Sequence, residues 1–272
     1  MKYITLDTRS VPAIGLGTYK LTGPAAIEII RKAIHIGYRH IDTAQLYDNE
    51  KEIGIALSDS GVPRNRIFIT SKVWPSNLTK DRLINSVEES LEKIKLQYFD
   101  LLLVHWPHHE LLVEEYMQTM MRVQEAGLTK DIGVSNFNIA QLKAALKSGA
   151  RIVANQIEFH PWINQVKVME FMQNNQIPLI AYCPFGKGRF IGDKKIEILA
   201  AKYVRSPAQI ILRWMMQKDN ILAIPKSENL YRLEENLHVF DFELSEKEME
   251  MMDAWRLENI RVVGELAGAK FD

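Results

Sequence analysis

KDRLINSVEESLEKIKLQYFDLLLVHW, residues 80–106, holds one complete unit of a helix followed by a strand. From Phe99 onward the stretch is almost continuously apolar, which is typical of a strand buried on both faces. A helix packed over such a strand predicts an α/β fold with a parallel sheet. The apolar stripe that marks the helix has three- and four-residue spacing and consists of Leu83, Ile84, Val87, Leu91 and Ile94.

The same unit recurs along the chain, with helical patterns between the apolar runs. One helix is predicted to end at Gly37, one to begin at Ser206 and Pro207, and one to begin with a Ser245–Glu248 capping box. A parallel α/β protein has this alternation. The other apolar, β-branched runs cover residues 39–44, 67–74, 131–137, 152–159, 177–184 and 221–227.

Seven strands require an eighth to close a barrel, and HVFDFEL at 238–244 is the predicted candidate. The opening YITLDTRSVPAIGLG, residues 3–17, predicts a hairpin before the first unit. No Gly/Ser linker divides the chain, so we expect one (β/α)8 TIM barrel domain over residues 1–272. A doubly wound open sheet is the alternative fold.

Composition excludes several classes of protein. Lys+Arg and Asp+Glu both number 34, which argues against a protein that binds nucleic acid through clustered positive charge. The one cysteine, Cys183, cannot form an internal disulfide, so a reducing cytoplasm is expected. The sequence shows neither an apolar signal region nor a run long enough to span a membrane. We expect a monomer.

Common ligand-binding fingerprints are missing. GLGTYK has two glycines at dinucleotide-binding spacing but Lys20 where the third is needed, and it follows a hairpin rather than a first strand. HWPHHE offers His105, His108, His109 and Glu110, but their spacing fits no common zinc pattern. Because neighbouring histidines should point apart, no metal site is expected.

Polar residues stand where three successive predicted strands end. In a barrel these strand ends meet at one rim, which places Asp42, Lys72 and His105 together, with Tyr47 a few residues beyond the first strand. Each residue alone has an ordinary explanation: a helix cap, a solvated lysine or a packed histidine. Together they suit protonation of an oxygen on which charge develops. We expect Asp42 to hold Lys72, and Lys72 to lower the pKa of Tyr47.

The motifs GYRHIDTAQLYDNE, ITSKVW, LLLVHWP, IGVSNF, NQIEFHP, AYCPFGKG and IPKS resemble, in this order, the motif series of the aldo-keto reductases. The resemblance runs from GLGTY to the helix after IPKS and is strongest to bacterial members of the 2,5-diketo-D-gluconate and methylglyoxal reductase type. It implies a (β/α)8 barrel and a nicotinamide dinucleotide, usually NADPH, bound without a Rossmann fold. It therefore implies reduction of carbonyl groups to alcohols.

The resemblance also assigns roles to residues. It makes Tyr47 the general acid of a catalytic tetrad with Asp42, Lys72 and His105. It implies that the nicotinamide is bound by Ser135, Asn136, Gln156 and Tyr182. It implies that the 2′-phosphate of the adenosine is bound by Lys226, Ser227 and Arg232, with Glu235 and Asn236 at the adenine. Two more residues are implied for the cofactor, Gly17 and Thr18, and three for the substrate, Tyr19, Trp74 and Trp106.

The loops after HWP and after Trp255 are short, which predicts a low-walled pocket for small, polar, activated carbonyls. The tail RVVGELAGAKFD lacks the proline-rich ending common among the similar enzymes. Two other functions are considered. A non-catalytic NADPH-binding barrel with a structural or regulatory role is disfavoured by the complete tetrad, and an ene-reductase, which has glutamate in place of the histidine, is disfavoured by His105.

Overall fold

The computed structural model describes residues 1–264 and 271–272. It begins with an antiparallel hairpin of β1 (Tyr3–Leu6) and β2 (Arg9–Pro12). The Arg9 side chain binds Asp131, with Nε 2.9 Å from Oδ2, and Asp100, with Nη1 3.1 Å from Oδ1. These bonds attach the hairpin to the strands that carry the two carboxylates.

The central sheet has eight parallel strands whose spatial order is their chain order. The sheet curls, so the Ala223 N–H donates to the Ala13 carbonyl (2.8 Å) and the Gly15 N–H donates to the Ala223 carbonyl (2.9 Å). This architecture is consistent with the predicted (β/α)8 barrel. The strands are β3 (Leu16–Gly17), β4 (His40–Asp42), β5 (Phe68–Val73), β6 (Phe99–Val104), β7 (Thr129–Ser135), β8 (Ile152–Glu158), β9 (Leu179–Tyr182) and β10 (Ile221–Ala223).

Helices pack around the sheet and follow its strands. Every residue of β5 and β6 is buried, as the continuous apolar runs predict for strands covered on both faces. The helices are α1 (Gly23–Ile36), α2 (Glu50–Asp59), α3 (Lys80–Ile94), α4 (Val113–Glu125), α5 (Ile139–Lys147), α6 (Val166–Asn174), α7 (Lys194–Tyr203), α8 (Pro207–Met216), α9 (Leu230–Leu237) and α10 (Glu246–Ala254).

The predicted helix ends are confirmed. Gly37 follows α1 with a φ of 117°, a left-handed conformation that glycine adopts without a steric penalty. Ser206 and Ser245 cap α8 and α10, each in a reciprocal capping box with the residue three positions later. The predicted stripe of α3 is buried, except that Ile84 is half-buried.

The prediction of the eighth strand is wrong. Residues 238–244 form no strand, because α8 side chains bind their carbonyls: Gln209 Nε2 donates to His238 O (2.7 Å) and Arg213 Nη1 to Val239 O (3.2 Å). The missing strand is β3, inside the segment predicted as a hairpin. A Cβ on Gly17 would lie 2.6 Å from the Ile224 carbonyl oxygen, so this two-residue strand needs glycine and lacks the apolar pattern of the others.

Among the helices in the described part of the chain, none is long and apolar enough to cross a membrane.

Candidate active site

The four residues of the predicted tetrad lie together at the carboxyl end of the sheet. Asp42 is the last residue of β4, Lys72 lies near the end of β5, and His105 directly follows β6. Tyr47 ends a short 3-10 helix, Gln45–Tyr47, that begins three residues after β4. Parallel strands direct their carboxyl ends to one rim, so distant segments meet there.

Lys72 and Asp42 form a buried ion pair. Lys72 Nζ lies 2.5 Å from Asp42 Oδ1 and also donates to the Thr43 carbonyl at 2.7 Å. The side chains are 0% and 1% exposed, so burial opposes both charges: it lowers the pKa of Lys72 and raises the pKa of Asp42, and each charge counters this shift in the other. The additional hydrogen bonds satisfy groups that would otherwise make the buried pair costly.

Tyr47 lies beside this ion pair. Lys72 Nζ is 5.1 Å from the centroid of the Tyr47 ring, and the ring meets His105 edge-on with centroids 5.7 Å apart. Burial raises the pKa of Tyr47 well above its ordinary value, and Asp42 adds to the rise. The prediction of a lowered pKa for Tyr47 is therefore wrong, because burial, the largest cause, favours the neutral phenol. The hydroxyl holds its proton at neutral pH.

His105 is a buried, neutral imidazole. Burial, followed by the positive charge of Lys72, lowers the pKa of His105 well below its ordinary value. Trp74 contacts its ring edge-on with centroids 5.2 Å apart, and Asn136 Nδ2 donates to its carbonyl at 3.0 Å. A neutral imidazole fixed in this way can donate an N–H to a carbonyl oxygen without being consumed as an acid.

The residues predicted to bind the nicotinamide form one hydrogen-bonded cluster. Ser135 Oγ and the Asn136 N–H both donate to the Gln156 carbonyl, at 2.8 and 2.9 Å. Tyr182 donates its hydroxyl proton to Asn136 Oδ1 at 2.7 Å. Asn136 has a φ of 62°, a left-handed conformation that directs its side chain between Tyr182 and His105. The cluster is thus assembled in the protein alone.

Thr18 connects the first strand of the sheet to the ion pair. Gly17, the last residue of β3, precedes it. The Thr18 N–H and hydroxyl both donate to the Asp42 carbonyl, at 3.0 and 2.9 Å. Asn49, a buried residue that was not predicted, donates to the carbonyls of Thr18 and Leu21, both at 2.9 Å. Its sequence signal is a short amide only two positions after Tyr47 in YDNE, where it can bind loop carbonyls.

The residues predicted to bind the adenosine phosphate lie apart from this cluster and are mostly exposed. Lys226 pairs with Glu228 across an exposed turn, and Arg232 lies on the exposed face of α9. Ser227 Oγ accepts from the Asn229 N–H at 3.0 Å, and Asn229 caps α9 by accepting from the Arg232 N–H at 3.2 Å.

Two further residues of α9 were predicted at the adenine. Asn236 is buried, whereas Glu235 is half-buried and lines an open cavity of about 600 Å³. Arg205, Tyr231 and His238 also line this cavity. The cavity lies between α7, α8 and α9, away from the tetrad.

The predicted substrate aromatics differ in their surroundings. Tyr19 is 49% exposed, with its ring centroid 5.1 Å from that of Tyr47, and Trp74 is half-buried. Trp106 is buried and meets Phe271 at a centroid distance of 6.3 Å. Phe271 therefore lies beside a residue that is predicted to contact the substrate. Phe271 is not among the predicted substrate residues, and residues 265–270 lie outside the described part of the chain.

Glu158, at the end of β8, holds the segment that leads into this tail. Its buried carboxylate accepts the N–H groups of Val262 (2.7 Å) and Val263 (2.8 Å), and His160 Nε2 lies 3.0 Å from Oε1. The Ile260 N–H donates to the Trp162 carbonyl at 2.8 Å. The segment is thus bound to β8 and to the loop that follows it.

The loop after Trp106 contradicts one expectation. His108 and His109 were expected to point apart, but their rings stack with centroids 4.9 Å apart and an interplanar angle of 8°. His108 Nδ1 accepts the N–H groups of Glu110 and Leu111, both at 3.1 Å, which turns the loop back on itself. Within residues 1–264 and 271–272, no group of three or more potential metal ligands was found.

The rim of the curled parallel sheet carries an ion pair, a phenol and a neutral imidazole, which together have the chemistry of an enzyme site. Comparison with known proteins gives the class of enzyme: the chain is an oxidoreductase. The model of the family described as "Aldo/keto reductase family" matches residues 13–256. The chain belongs to the aldo/keto reductase family, whose members reduce carbonyl groups with nicotinamide cofactors, usually NADPH.

Curated relatives and solved structures agree with this placement. Methylglyoxal reductase DkgB of Escherichia coli O157:H7 is 40% identical over 249 residues, which cover 90% of this chain and 93% of the relative. Glyoxal reductase of Bacillus subtilis (strain 168) is 38% identical, with 90% and 88% covered. The crystal structure of a putative 2,5-diketo-D-gluconic acid reductase B has a TM-score of 0.97 at 35% identity and covers 100% of this chain and 98% of its own.

Proposed function

We propose that this chain is an NADPH-dependent reductase that converts aldehyde and ketone groups of small polar carbonyl compounds to alcohols. The observation that carries the proposal is the position of the Tyr47 ring between Lys72 and the neutral His105. The similarity to methylglyoxal and glyoxal reductases supports the choice of substrate class. We further propose a closed (β/α)8 barrel as one domain, a monomer, and a bacterial, cytoplasmic setting.

In the proposed reaction, the hydroxyl of Tyr47 gives its proton to the substrate oxygen. His105 donates an N–H to the same oxygen and orients it. As the proton leaves Tyr47, the Lys72 ammonium stabilises the phenolate, and Asp42 keeps Lys72 in place. The C=O double bond becomes a C–O single bond, the oxygen gains the proton, and Tyr47 is reprotonated from solvent in the next cycle.

The donors and acceptors at the rim suit a nicotinamide. When bound, NADPH supplies the hydride that adds to the carbonyl carbon. A carboxamide has one acceptor and an NH2 donor, and Ser135, Asn136 and Gln156 offer hydroxyl and amide groups of both kinds. Tyr182, at the end of β9, supplies an aromatic face whose hydroxyl is already bonded to Asn136. Lys226, Ser227 and Arg232 have the charges and donors that suit a 2′-phosphate.

The substrate proposal rests on the aromatic groups around Tyr47. Tyr19 lies beside the proposed acid and Trp74 beside His105, so both can cover a small molecule, and Trp106 directly follows His105 in the chain. Phe271 packs against Trp106 and adds a further aromatic ring beside it. Activated carbonyls need less binding energy, because an electron-poor carbon accepts hydride more readily.

The test is a comparison of catalytic efficiency with NADPH on methylglyoxal, a nitrobenzaldehyde, a diketo-sugar acid and a ketosteroid. We expect the small carbonyls to be reduced most efficiently. A higher efficiency with the ketosteroid would refute the substrate class. If NADPH binds but no carbonyl consumes it, the chain is the non-catalytic barrel considered above.

A further inference from the structure

One hydrogen bond crosses the mouth of the sheet and connects the ion pair to the cluster predicted at the nicotinamide. Gln156 Nε2, on β8, donates to Asp42 Oδ2, on β4, at 2.7 Å. Three strands, β5, β6 and β7, separate β4 from β8 in the sheet. Gln156 is 2% exposed and Asp42 is 1% exposed, so water does not compete effectively for either group.

The orientation of the Gln156 amide follows from the chemistry of its partner. An ionised carboxylate only accepts hydrogen bonds, so the NH2 group of Gln156 faces Asp42. Its amide oxygen remains as the acceptor for another partner, and the carboxamide NH2 of a nicotinamide is a donor. One side chain therefore has the groups to serve both Asp42 and the cofactor.

The Gln156 backbone is held firmly enough to position a partner. Its carbonyl accepts from Ser135 Oγ and from the Asn136 N–H, at 2.8 and 2.9 Å. The two Asp42 oxygens are consequently divided between two donors, Lys72 on Oδ1 and Gln156 on Oδ2. The carboxylate is fixed from both sides of the rim.

We propose that Gln156 is a positioning residue for the Asp42 carboxylate, and that through Asp42 it sets the charge state of Lys72 during turnover. The catalytic part of this inference rests on the proposed reductase function. Its structural part, the support of Asp42, does not.

Loss of the Gln156 hydrogen bond should change the pKa of Asp42 in a predictable direction. Burial already raises the pKa of Asp42, and the charge and hydrogen bond of Lys72, together with the hydrogen bond of Gln156, oppose that rise. The titratable groups that face Asp42 are Lys72, from β5, and Tyr47, from the 3-10 helix. Without Gln156 the Asp42 carboxylate binds a proton more readily, and Lys72 then loses its counter-ion.

The first experiment needs no catalysis. The Asp42 carboxyl is titrated by carbon-13 NMR in the full chain without cofactor, in the wild type and in Gln156→Met, which is similar in length but has no amide. We expect the Asp42 titration to move to higher pH. Gln156→Asn retains the amide but is one methylene shorter, and it should give the same direction of change if Gln156→Met folds poorly.

The second experiment measures kcat across pH at saturating NADPH. A hydrogen bond to a charged group corresponds to about a 10- to 100-fold effect, so we expect kcat to fall by that factor and its pH profile to shift. Gln173→Met is the matched control, because it makes the same chemical change at an exposed residue of α6. It should leave kcat, its pH profile and the Asp42 titration unchanged.

An unchanged Asp42 titration in a folded Gln156 variant would overturn the proposal, as would a loss confined to NADPH affinity with kcat and its pH profile intact. A wild-type chain that reduces no carbonyl would instead refute the proposed function. The NMR result would still decide whether Gln156 supports Asp42.

Discussion

The two ends of the proposed cofactor site are built differently. At the nicotinamide end, Asp42, Lys72, Asn136 and Gln156 are buried and bonded within the protein alone. At the adenosine end the corresponding charges are exposed, and Arg232 lies on the surface of α9. The first arrangement suits chemistry, where groups must be aligned in advance. The second suits affinity, since long charged side chains can close on a phosphate after it arrives.

At the exposed adenosine end, a carboxylate of the protein competes with the proposed phosphate for Lys226. Lys226 is paired with Glu228, whose pKa the lysine lowers, so this partner must be released before Lys226 binds a phosphate. Exposed charges are screened by salt, whereas the buried pair is screened much less. We therefore expect mutations at the buried end to affect rate or folding, and those at the exposed end to affect cofactor affinity.

The largest effect is expected for Tyr47→Phe, which removes the proposed proton donor. General acid catalysis accelerates reactions by roughly 10²–10⁴-fold, so kcat should fall by at least that range while NADPH affinity stays nearly constant. Tyr3→Phe, at an exposed tyrosine of the hairpin, makes the same chemical change away from the site and should leave kcat unaltered. Near wild-type turnover by Tyr47→Phe would remove Tyr47 from the mechanism.

Folding should also be sensitive to acid through the buried His40, the first residue of β4. Burial, with help from the charge of Lys72, lowers the pKa of His40 to about 3. The unfolded chain binds this proton first as the pH falls, so the stabilisation is complete above the ordinary value of 6.5 and is lost toward 3. The free energy of unfolding should fall by about 4 kcal/mol over this range.

Denaturant unfolding across this pH range, compared between the wild type and His40→Gln, would measure the effect of His40. The exposed His109, changed to Gln, serves as the control and should leave the pH dependence unaltered. Equal pH dependence in the wild type and His40→Gln would show that His40 is not the group responsible.

Arg232→Ala should affect the affinity for NADPH and the affinity for NADH differently. A charge-assisted hydrogen bond contributes about 1.5–3 kcal/mol, so NADPH affinity should fall by roughly 10- to 100-fold while NADH affinity barely changes. The affinity of the wild type for NADPH should also weaken as salt increases. Binding titrations of both cofactors would test this, with the exposed Arg82→Ala on α3 as control. Equal losses for NADPH and NADH would identify Arg232 as a structural residue.

The smallest expected effect is an increase in NADPH affinity. Glu228→Gln removes the carboxylate that pairs with Lys226, so the lysine is available to the phosphate and NADPH should bind a few-fold more tightly, as expected for an exposed ion pair. NADH affinity should not change, and titrations of both cofactors measure the two outcomes. Weaker NADPH binding in this variant would mean that Glu228 orients Lys226 rather than competing for it.

The parts of the molecule that depend on general rules were predictable from the sequence. Helix α3 matches its predicted bounds, and Asp42, Lys72 and His105 meet at one rim because parallel strands end on the same side of a sheet. Strand β3 escaped prediction because two residues give no periodicity, and its glycine is required by a backbone contact with Ile224.

Side-chain partners across the barrel were not predictable in the same way. The bond between Gln156 and Asp42 joins residues 114 positions apart and depends on where both side chains point. The pKa of Tyr47 was assigned the wrong direction for a related reason. Proximity to Lys72 was foreseeable, but the burial of the phenol and its closeness to Asp42 depend on the packing.

Glu158 attaches residues 262–263 to the strand that also carries Gln156. It lies two residues after Gln156 on β8, so the two side chains share a face of the strand. One holds Asp42 and the other holds the N–H groups of Val262 and Val263. The same face of β8 therefore carries both the hydrogen bond to Asp42 and the attachment of residues 262–263. Any displacement of residues 262–263 would break two hydrogen bonds at a position two residues from Gln156.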